Sequence, residues 1–448
     1  MANVKDIING FITVDDALTL DYETTKELQL KHLNKQRTLL GNSKYFVKAD
    51  GSKFIDQNGD EHLDMIGGVG VVTIGNNNEY VWNELEKVFK AKYYMMGTVA
   101  YHSIAAAFAA NMAKLSPGGQ LTKMGTATAG AEAIEGSLKL VKLATRDKPE
   151  KDRIIACENA FHGKTTGAVS VGGKEIWRKY QHPLMEDVDH VPYGDADALE
   201  DALKKGCYMA FYVEPIQGEG GIIVPPEGYL AKCRELCDKY DAIMVLDEIQ
   251  AGCGRTGKMW AVEHENVVPD VIVFAKGFSG GLIPFGGYIC KEAIYEAAYG
   301  SPETCFHHTA TYQENGMSTA AGLATLQYML ENDLIKQAGE KGEYLIGKLK
   351  EIQAKYPGII KEVRGKGMMI GIEFFDIPAE YQDGYAVNYS DPIQGDLNDK
   401  YRIQCIHTIN NAAVFRFLPA ITISKDEIDY ALDSLEKAVS DAAAKTGK

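Results

Sequence analysis

Two patterns of apolar residues share this chain. One is a block of four or five consecutive apolar, largely β-branched residues bounded by turn formers, which reads as a strand buried on both faces. The other spaces apolar residues three and four apart, which reads as a helix packed along one face. From residue 121 the two alternate: strand 121–126, helix 132–145, strand 153–157, strand 209–215, helix 228–240, strand 243–247 and strand 271–275. Such alternation predicts a mostly parallel sheet with helices on both faces. Before it come a helical stretch within 24–40, short strands at 45–47 and 53–56 with Asp50-Gly51 and Asn58-Gly59 as turns, a glycine-rich loop or strand at 66–75, and helices at 82–91 and 103–115. After it come helices at 319–330 and from 334 onward, strands at 368–374 and 413–418, and a last helix 425–442 behind the capping residue Ser424. The expected organisation is an N-terminal segment 1–64 belonging to a small α+β domain, a large domain 65–332, and a C-terminal part 333–448 that completes the small domain.

The two central strands end in charge. The run IMVL closes on Asp247, with Gln250 just beyond, and VIVFA closes on Lys276, followed by GFSGG. Ligands of open parallel sheets bind outside the carboxyl ends of the strands, so acid and amine share one rim. Singly, each reads as a solvated strand cap, since charged residues are rarely buried. Together they read otherwise: Asp247 follows a run too apolar for a sheet edge, and the glycines after Lys276 let backbone and ligand come close. A lysine in such a pocket loses solvation, its pKa falls, and the free amine can attack a carbonyl. An acid at the same rim can hold a protonated ring nitrogen by a charge-assisted hydrogen bond. Pyridoxal phosphate needs that pair.

At 448 residues the chain is too long for one core. A net charge of -15 argues against nucleic acid or an anionic membrane surface as the main partner. No apolar run is long enough to span a bilayer and no secretory pattern opens the chain, which points to the cytoplasm. The eight cysteines include no CxxC pair; Cys233 and Cys237 share one helix face and read as reduced packing residues, not metal ligands.

Further groups fall at the same rim. The turn TAGAE, residues 128–132, leads through Gly130 into a helix whose first N–H groups favour a phosphate. Phe161-His162-Gly163 follows strand 153–157 and offers an aromatic face to a flat cofactor. Glu214 and Glu219 lie in a glycine-rich loop, where such acids are most often solvated, and matter if a cation meets them. Gly252, Gly254 and Gly257 satisfy GxGxxG, but no helical pattern starts there, so a dinucleotide-binding oxidoreductase is disfavoured.

Together NAFHGKTTGAVS, EPIQGEGGIIVPPEGYL, LDEIQAGCGRTGKMWAVEHENVVPD, FAKGFSGG and RGKGMMIGIEF resemble the class III (ω-) aminotransferases, pyridoxal phosphate enzymes of fold type I, over about residues 45–440. The resemblance implies an α/β fold: a large domain on a mostly parallel seven-stranded sheet, and a small α+β domain from both chain ends. It implies that Lys276 binds the cofactor covalently and then carries protons, and that Asp247 pairs with the ring nitrogen. Gln250 would lie near the ring hydroxyl and Phe161 against the ring, with His162 and Glu214 beside them. Gly130 and Ala131 would hold the phosphate through backbone N–H groups. Thr311 would reach the phosphate of a neighbouring subunit, which implies a homodimer with shared active sites, or a tetramer of such dimers. Arg416 would take a substrate carboxylate and Glu219 would pair with it when an amine without that carboxylate is bound.

The chain also departs from the family. Thr128-Ala129-Gly130-Ala131 stands where Asn-Ser-Gly-Thr or Asn-Ser-Gly-Ala is common, which removes a hydroxyl from the phosphate site at a cost of around 1 kcal/mol. Gly75-Asn76-Asn77-Asn78 replaces a Gly-His motif, and Gln313-Glu314 replaces Gly-Gly beside Thr311. The expected activity is transfer of the terminal amino group of an ω- or β-amino substrate to a keto acid, with 2-oxoglutarate as acceptor. A diamine such as putrescine is the first choice of donor, and a β-amino acyl thioester such as 3-aminobutyryl-coenzyme A or a 4-aminobutyrate-like acid the second. Racemase or lyase chemistry on the same cofactor, and a non-catalytic binding protein with this fold, are the other readings.

Overall fold

The chain forms two compact units, one of residues 1–49 and 53–62, the other of residues 50–52 and 63–448. The computed structural model describes residues 10–39, 44–382 and 387–447; positions 1–9 and 40–43 of the expected N-terminal segment lie outside these. The first unit holds the helix Tyr22–His32, capped by the Asp21 carboxylate on Thr24 N–H, shorter than the 24–40 periodicity suggests. The strands β1 (Phe46–Asp50), β2 (Lys53–Asp56) and β3 (Glu61–Asp64) follow in the chain, separated by turns in which Gly51 and Gly59 take positive φ.

The second unit is built on seven strands: β4 (Leu121–Ala127), β5 (Arg153–Cys157), β6 (Val188–Val191), β7 (Tyr208–Val213), β8 (Ile243–Asp247), β9 (Val271–Ala275) and β10 (Gly286–Lys291), in the order β4-β10-β9-β8-β7-β5-β6. From β9 to β6 all pairs are parallel; β10 is antiparallel to both β9 and β4. Every residue of β7, β8 and β9 is buried. Met244 and Leu246 enter the core on one face of the sheet, Ile243 and Val245 that on the other. Helices cover both faces, so the continuous apolar runs are what this position demands.

Two strands of this sheet escaped the sequence pattern. β6 is a four-residue edge strand. β10 opens with Gly286-Gly287, residue types common in turns; a Cβ on Gly287 would lie 2.3 Å from Gly125 O, so glycine is what lets the strands approach. The stretch 66–75 is neither a strand nor a plain loop: Gly67–Gly70 form one helical turn with Gly68 and Val69 left-handed.

A second, antiparallel sheet has the order β11-β12-β15-β14, from β11 (Ile360–Lys366), β12 (Met369–Phe374), β14 (Ile406–His407) and β15 (Val414–Phe417); β13 (Ile403–Gln404) pairs in parallel with Leu63 and Asp64. β15 sets Arg416 between Gly371 and Ile406. The last helix, Lys425–Thr446, opens with a full capping box: Ser424 accepts from Glu427 N–H while the Glu427 carboxylate accepts from Ser424 N–H. Among the described residues no helix is long and apolar enough to cross a membrane, and no group of three or more side chains is set to hold a metal ion.

Candidate active site

The register of β8 on β9 brings the two strand ends together. Asp247 lies opposite Val273, so Lys276, just past the end of β9, stands at the same rim. Asp247 is 4% exposed; its Oδ2 accepts from His162 Nδ1 at 2.7 Å and its Oδ1 from Ile249 N–H at 3.0 Å. His162 is buried, which alone disfavours a charged ring, yet the Asp247 carboxylate outweighs burial and raises the imidazole pKa.

Lys276 takes φ of 50°, a left-handed conformation costing on the order of 1–2 kcal/mol for a residue with a side chain. It begins the turn Lys276–Ser279 and opens onto a cavity. The poorly solvated surroundings lower its pKa; Glu219 opposes that shift and Arg416 adds to it. More of the amine is therefore neutral, the form that attacks a carbonyl.

Glu214 follows β7 directly and is buried, not solvated as a loop acid ordinarily is. Its two oxygens accept from Phe161 N–H and Gly218 N–H, each at 3.0 Å, so it ties two loops together. Burial pushes its pKa up to about 7. Phe161 is half-buried and faces the cavity with Ile249.

The helix Gly130–Ala144 starts at the cavity with no side-chain cap, since its N-cap is Ala129. Its first N–H groups, with Gly130 and Ala131 in the lining, are the unpaired donors of a helix start. The donors of Thr128, which also lines the cavity, are already used: its N–H and Oγ1 both donate to Glu132 Oε2, at 2.7 and 2.5 Å. Close packing shapes the turn, because a Cβ on Gly163 (φ 120°) would lie 2.7 Å from Ala131 Cβ.

At the far side Glu219 and Arg416, both buried, form an ion pair, Nη1 to Oε1, of 2.6 Å. Its alignment leaves Arg416 Nε and Nη1 without a hydrogen-bond acceptor. Burial would raise the Glu219 pKa, but Arg416 and then Lys276 hold it below the usual carboxylate value. Gln250 Nε2 reaches Val69 O at 3.3 Å and Glu219 Oε1 at 3.5 Å, and its Oε1 is buried without a partner.

These groups enclose a cavity of about 450 Å³. Gly130, Ala131, Phe161, His162, Glu214, Glu219, Asp247, Gln250 and Lys276 all line it. Arg416 joins through Glu219. Thr311 does not line it: its side chain is exposed and its carbonyl accepts from Thr98 Oγ1 at 3.2 Å. Ile283, Pro284 and Phe285 also line the cavity. Nothing in LIPFGG marks these apolar residues as lining a site. Another unheralded residue is Glu248, fully buried beside Asp247, which accepts from Ala261 N–H at 3.0 Å and Val262 N–H at 2.8 Å. Its place in a buried run was the available signal.

The donor set fits pyridoxal phosphate. A weakly basic lysine, a buried acid hydrogen-bonded to His162, an uncapped helix start and partnerless polar atoms on Gln250 and Arg416 surround a largely apolar slot. The family described as Aminotransferase class-III matches residues 40–439. An uncharacterized aminotransferase of Schizosaccharomyces pombe is 57% identical over 436 residues, spanning 97% of this chain and 90% of that protein. The ornithine aminotransferase of Toxoplasma gondii, in a structure with partial occupancy of PLP at its active site, superposes with a TM-score of 0.86 at 25% identity, over 100% of this chain and 99% of that one. An (S)-enantioselective omega-transaminase from Thermomicrobium roseum shares the fold, with a TM-score of 0.84 at 24% identity over 94% and 98% of the two chains. The chain belongs to the class III aminotransferases. It is accordingly a pyridoxal-phosphate-dependent enzyme of fold type I that transfers amino groups.

Proposed function

We propose that this enzyme takes the terminal amino group of an ω- or β-amino substrate, a diamine such as putrescine first, and passes it to 2-oxoglutarate. The observation that carries the reading is the 2.6 Å pair between Arg416 and Glu219 on the wall that Lys276 faces. With Glu219 on Arg416 the wall is electrically closed and suits an amine without a nearby carboxylate. With Glu219 withdrawn, the planar guanidinium can grip the carboxylate of a keto acid in two places. The motifs around Phe161, Glu214 and Asp247 also resemble those of putrescine aminotransferase more than those of acetylornithine, ornithine or 4-aminobutyrate aminotransferases.

Bound pyridoxal phosphate supplies a carbonyl for the amine and an electron sink for the carbon beside it. In this reading Lys276 Nζ would hold the cofactor and, once free, would move the proton of the carbon bearing the substrate amine. Asp247, hydrogen-bonded to His162, would hold the ring nitrogen; Phe161 would stack on the ring, Gln250 would take its hydroxyl, and Gly130 and Ala131 N–H would hold the phosphate. The enzyme works as a homodimer in which Thr311 serves the neighbouring site. Eight free cysteines suit the reducing cytoplasm.

The test is a half-reaction. Single amines (putrescine, cadaverine, 4-aminobutyrate, β-alanine and 3-aminobutyryl-coenzyme A) are mixed with the loaded enzyme without keto acid, and the visible band of the bound cofactor is followed. Putrescine should bleach the band and 2-oxoglutarate restore it. Bleaching by another amine alone would transfer the assignment to that donor, and restoration by pyruvate alone would remove 2-oxoglutarate.

A further inference from the structure

Outside the cavity three segments of the chain meet on one residue. Asn410 lies between β14 and β15, and its backbone N–H donates to Glu219 O at 3.1 Å. Its Nδ2 donates to Asn159 O at 2.9 Å, and its Oδ1 accepts from Trp177 Nε1 at 2.7 Å. Asn159 stands two residues before Phe161 and takes a left-handed φ of 59°. The residue before Asn410 completes the link: Ile409 N–H donates to Glu219 Oε2 at 3.1 Å.

An ion pair and two hydrogen-bond donors thus hold the Glu219 carboxylate. Arg416 and Gln250 Nε2 address Oε1, the latter at a weak 3.5 Å, and Ile409 N–H addresses Oε2. Arg416 is buried in a sheet and Gln250 is buried beside the cavity. The Ile409 N–H sits on a loop whose side chain at 409 is 41% exposed, so its position depends on what fixes that loop. Inside the loop Thr408 Oγ1 donates to Asn411 O at 2.7 Å; across the gap to the Phe161 segment the fixing is done by Asn410.

We infer that Asn410 is a positioning residue for substrate choice: by tying the 408–411 loop to Asn159 and Trp177 it holds the Ile409 N–H on Glu219, and so favours the closed Glu219–Arg416 pair over an Arg416 open to a carboxylate. The inference rests on the reading of Glu219 and Arg416 given above. A substrate carboxylate must displace Glu219, and each hydrogen bond to that charged group adds to the cost of displacing it. Loosening the loop therefore lowers the barrier for carboxylates.

The experiment uses the full, cofactor-loaded enzyme and glutarate, a dicarboxylate with neither an amine nor a ketone. Its binding is measured by calorimetry to the unmodified enzyme, Asn410→Ala, Trp177→Phe and Arg416→Ala. Trp177→Phe removes only the indole N–H and keeps the aromatic ring beneath Lys164. Glutarate should bind about threefold to tenfold more tightly to Asn410→Ala, more tightly by a smaller factor to Trp177→Phe, and not measurably to Arg416→Ala. The KM for 2-oxoglutarate should fall in the first two variants, which a general loss of packing would not produce. Unchanged or weaker glutarate binding in both loop variants overturns the inference, and Trp177→Phe decides it if Asn410→Ala does not fold. Equal glutarate binding with and without Arg416 removes the reading of Arg416 itself, and this inference falls with it.

Discussion

Glu248 and Glu214 are two carboxyls that the fold keeps in poorly solvated places, each fed by backbone N–H groups instead of a cation. Burial pushes Glu248 up to about 8 and Glu214 up to about 7, from an ordinary 4.5. The folded protein therefore keeps protons that the unfolded chain releases above about 4.5. Stability from these sites is complete below that pH and is lost as pH rises, through about 7 for Glu214 and about 8 for Glu248. Glu248→Gln cannot titrate, so its stability should fall less steeply between about pH 5 and 8, by up to about 1.4 kcal/mol per pH unit. The variant should also start lower by roughly 1 kcal/mol, because a glutamine oxygen cannot serve both Ala261 and Val262 N–H. Denaturant unfolding across that pH range checks this; parallel curves would refute it. Glu248 shows what a residue-by-residue reading misses: its neighbour Asp247 declared itself by following IMVL, but whether the next acid faced in or out depended on the 261–265 turn packing over it.

At the scale of elements, the site is a set of strand ends and helix starts brought to one rim. The central strands were legible because burial on both faces leaves no room for polar positions. Elements held by close backbone approach were not legible, since glycine pairs are also what turns require. Gly163 is one such contact, pinning the Phe161–His162 loop on the first turn of the helix Gly130–Ala144. Gly163→Ala combines an unfavourable φ of 120° with a Cβ placed 2.7 Å from that of Ala131. A loss of about 1–3 kcal/mol in stability is expected, together with weaker retention of the cofactor phosphate. Thermal unfolding and dialysis of the loaded enzyme measure the two; a variant as stable and as well loaded as the original would show that the turn can relax.

For the molecule as a whole, the proposal is that a second copy completes the site. Thr311 is exposed and does not line the cavity of its own chain. The prediction is complementation. Lys276→Ala should be inactive and Thr311→Ala should hold the cofactor several-fold less tightly. A hybrid dimer of the two would contain one site with both Lys276 and a neighbouring Thr311 intact. Co-refolding the variants at limiting cofactor should therefore raise activity above that of Thr311→Ala alone. No gain despite hybrid formation, shown by mass spectrometry, would count against shared sites.

The sequence by itself determined the parallel core, the residues at its carboxyl rim and the spacing of Asp247 and Lys276, because periodicity, β-branching and strand-end chemistry are local properties. It also carried the family, through motifs that surround the rim. The tertiary structure alone decided the antiparallel β10, the burial of Glu214 and Glu219, and the wiring of Glu219 to Arg416 and Ile409. Glu219 and Arg416 lie nearly two hundred positions apart, and no local pattern states how a loop beyond one sheet will face a strand of another. Their contact exists only once both sheets have been packed, and substrate choice is proposed to reside there.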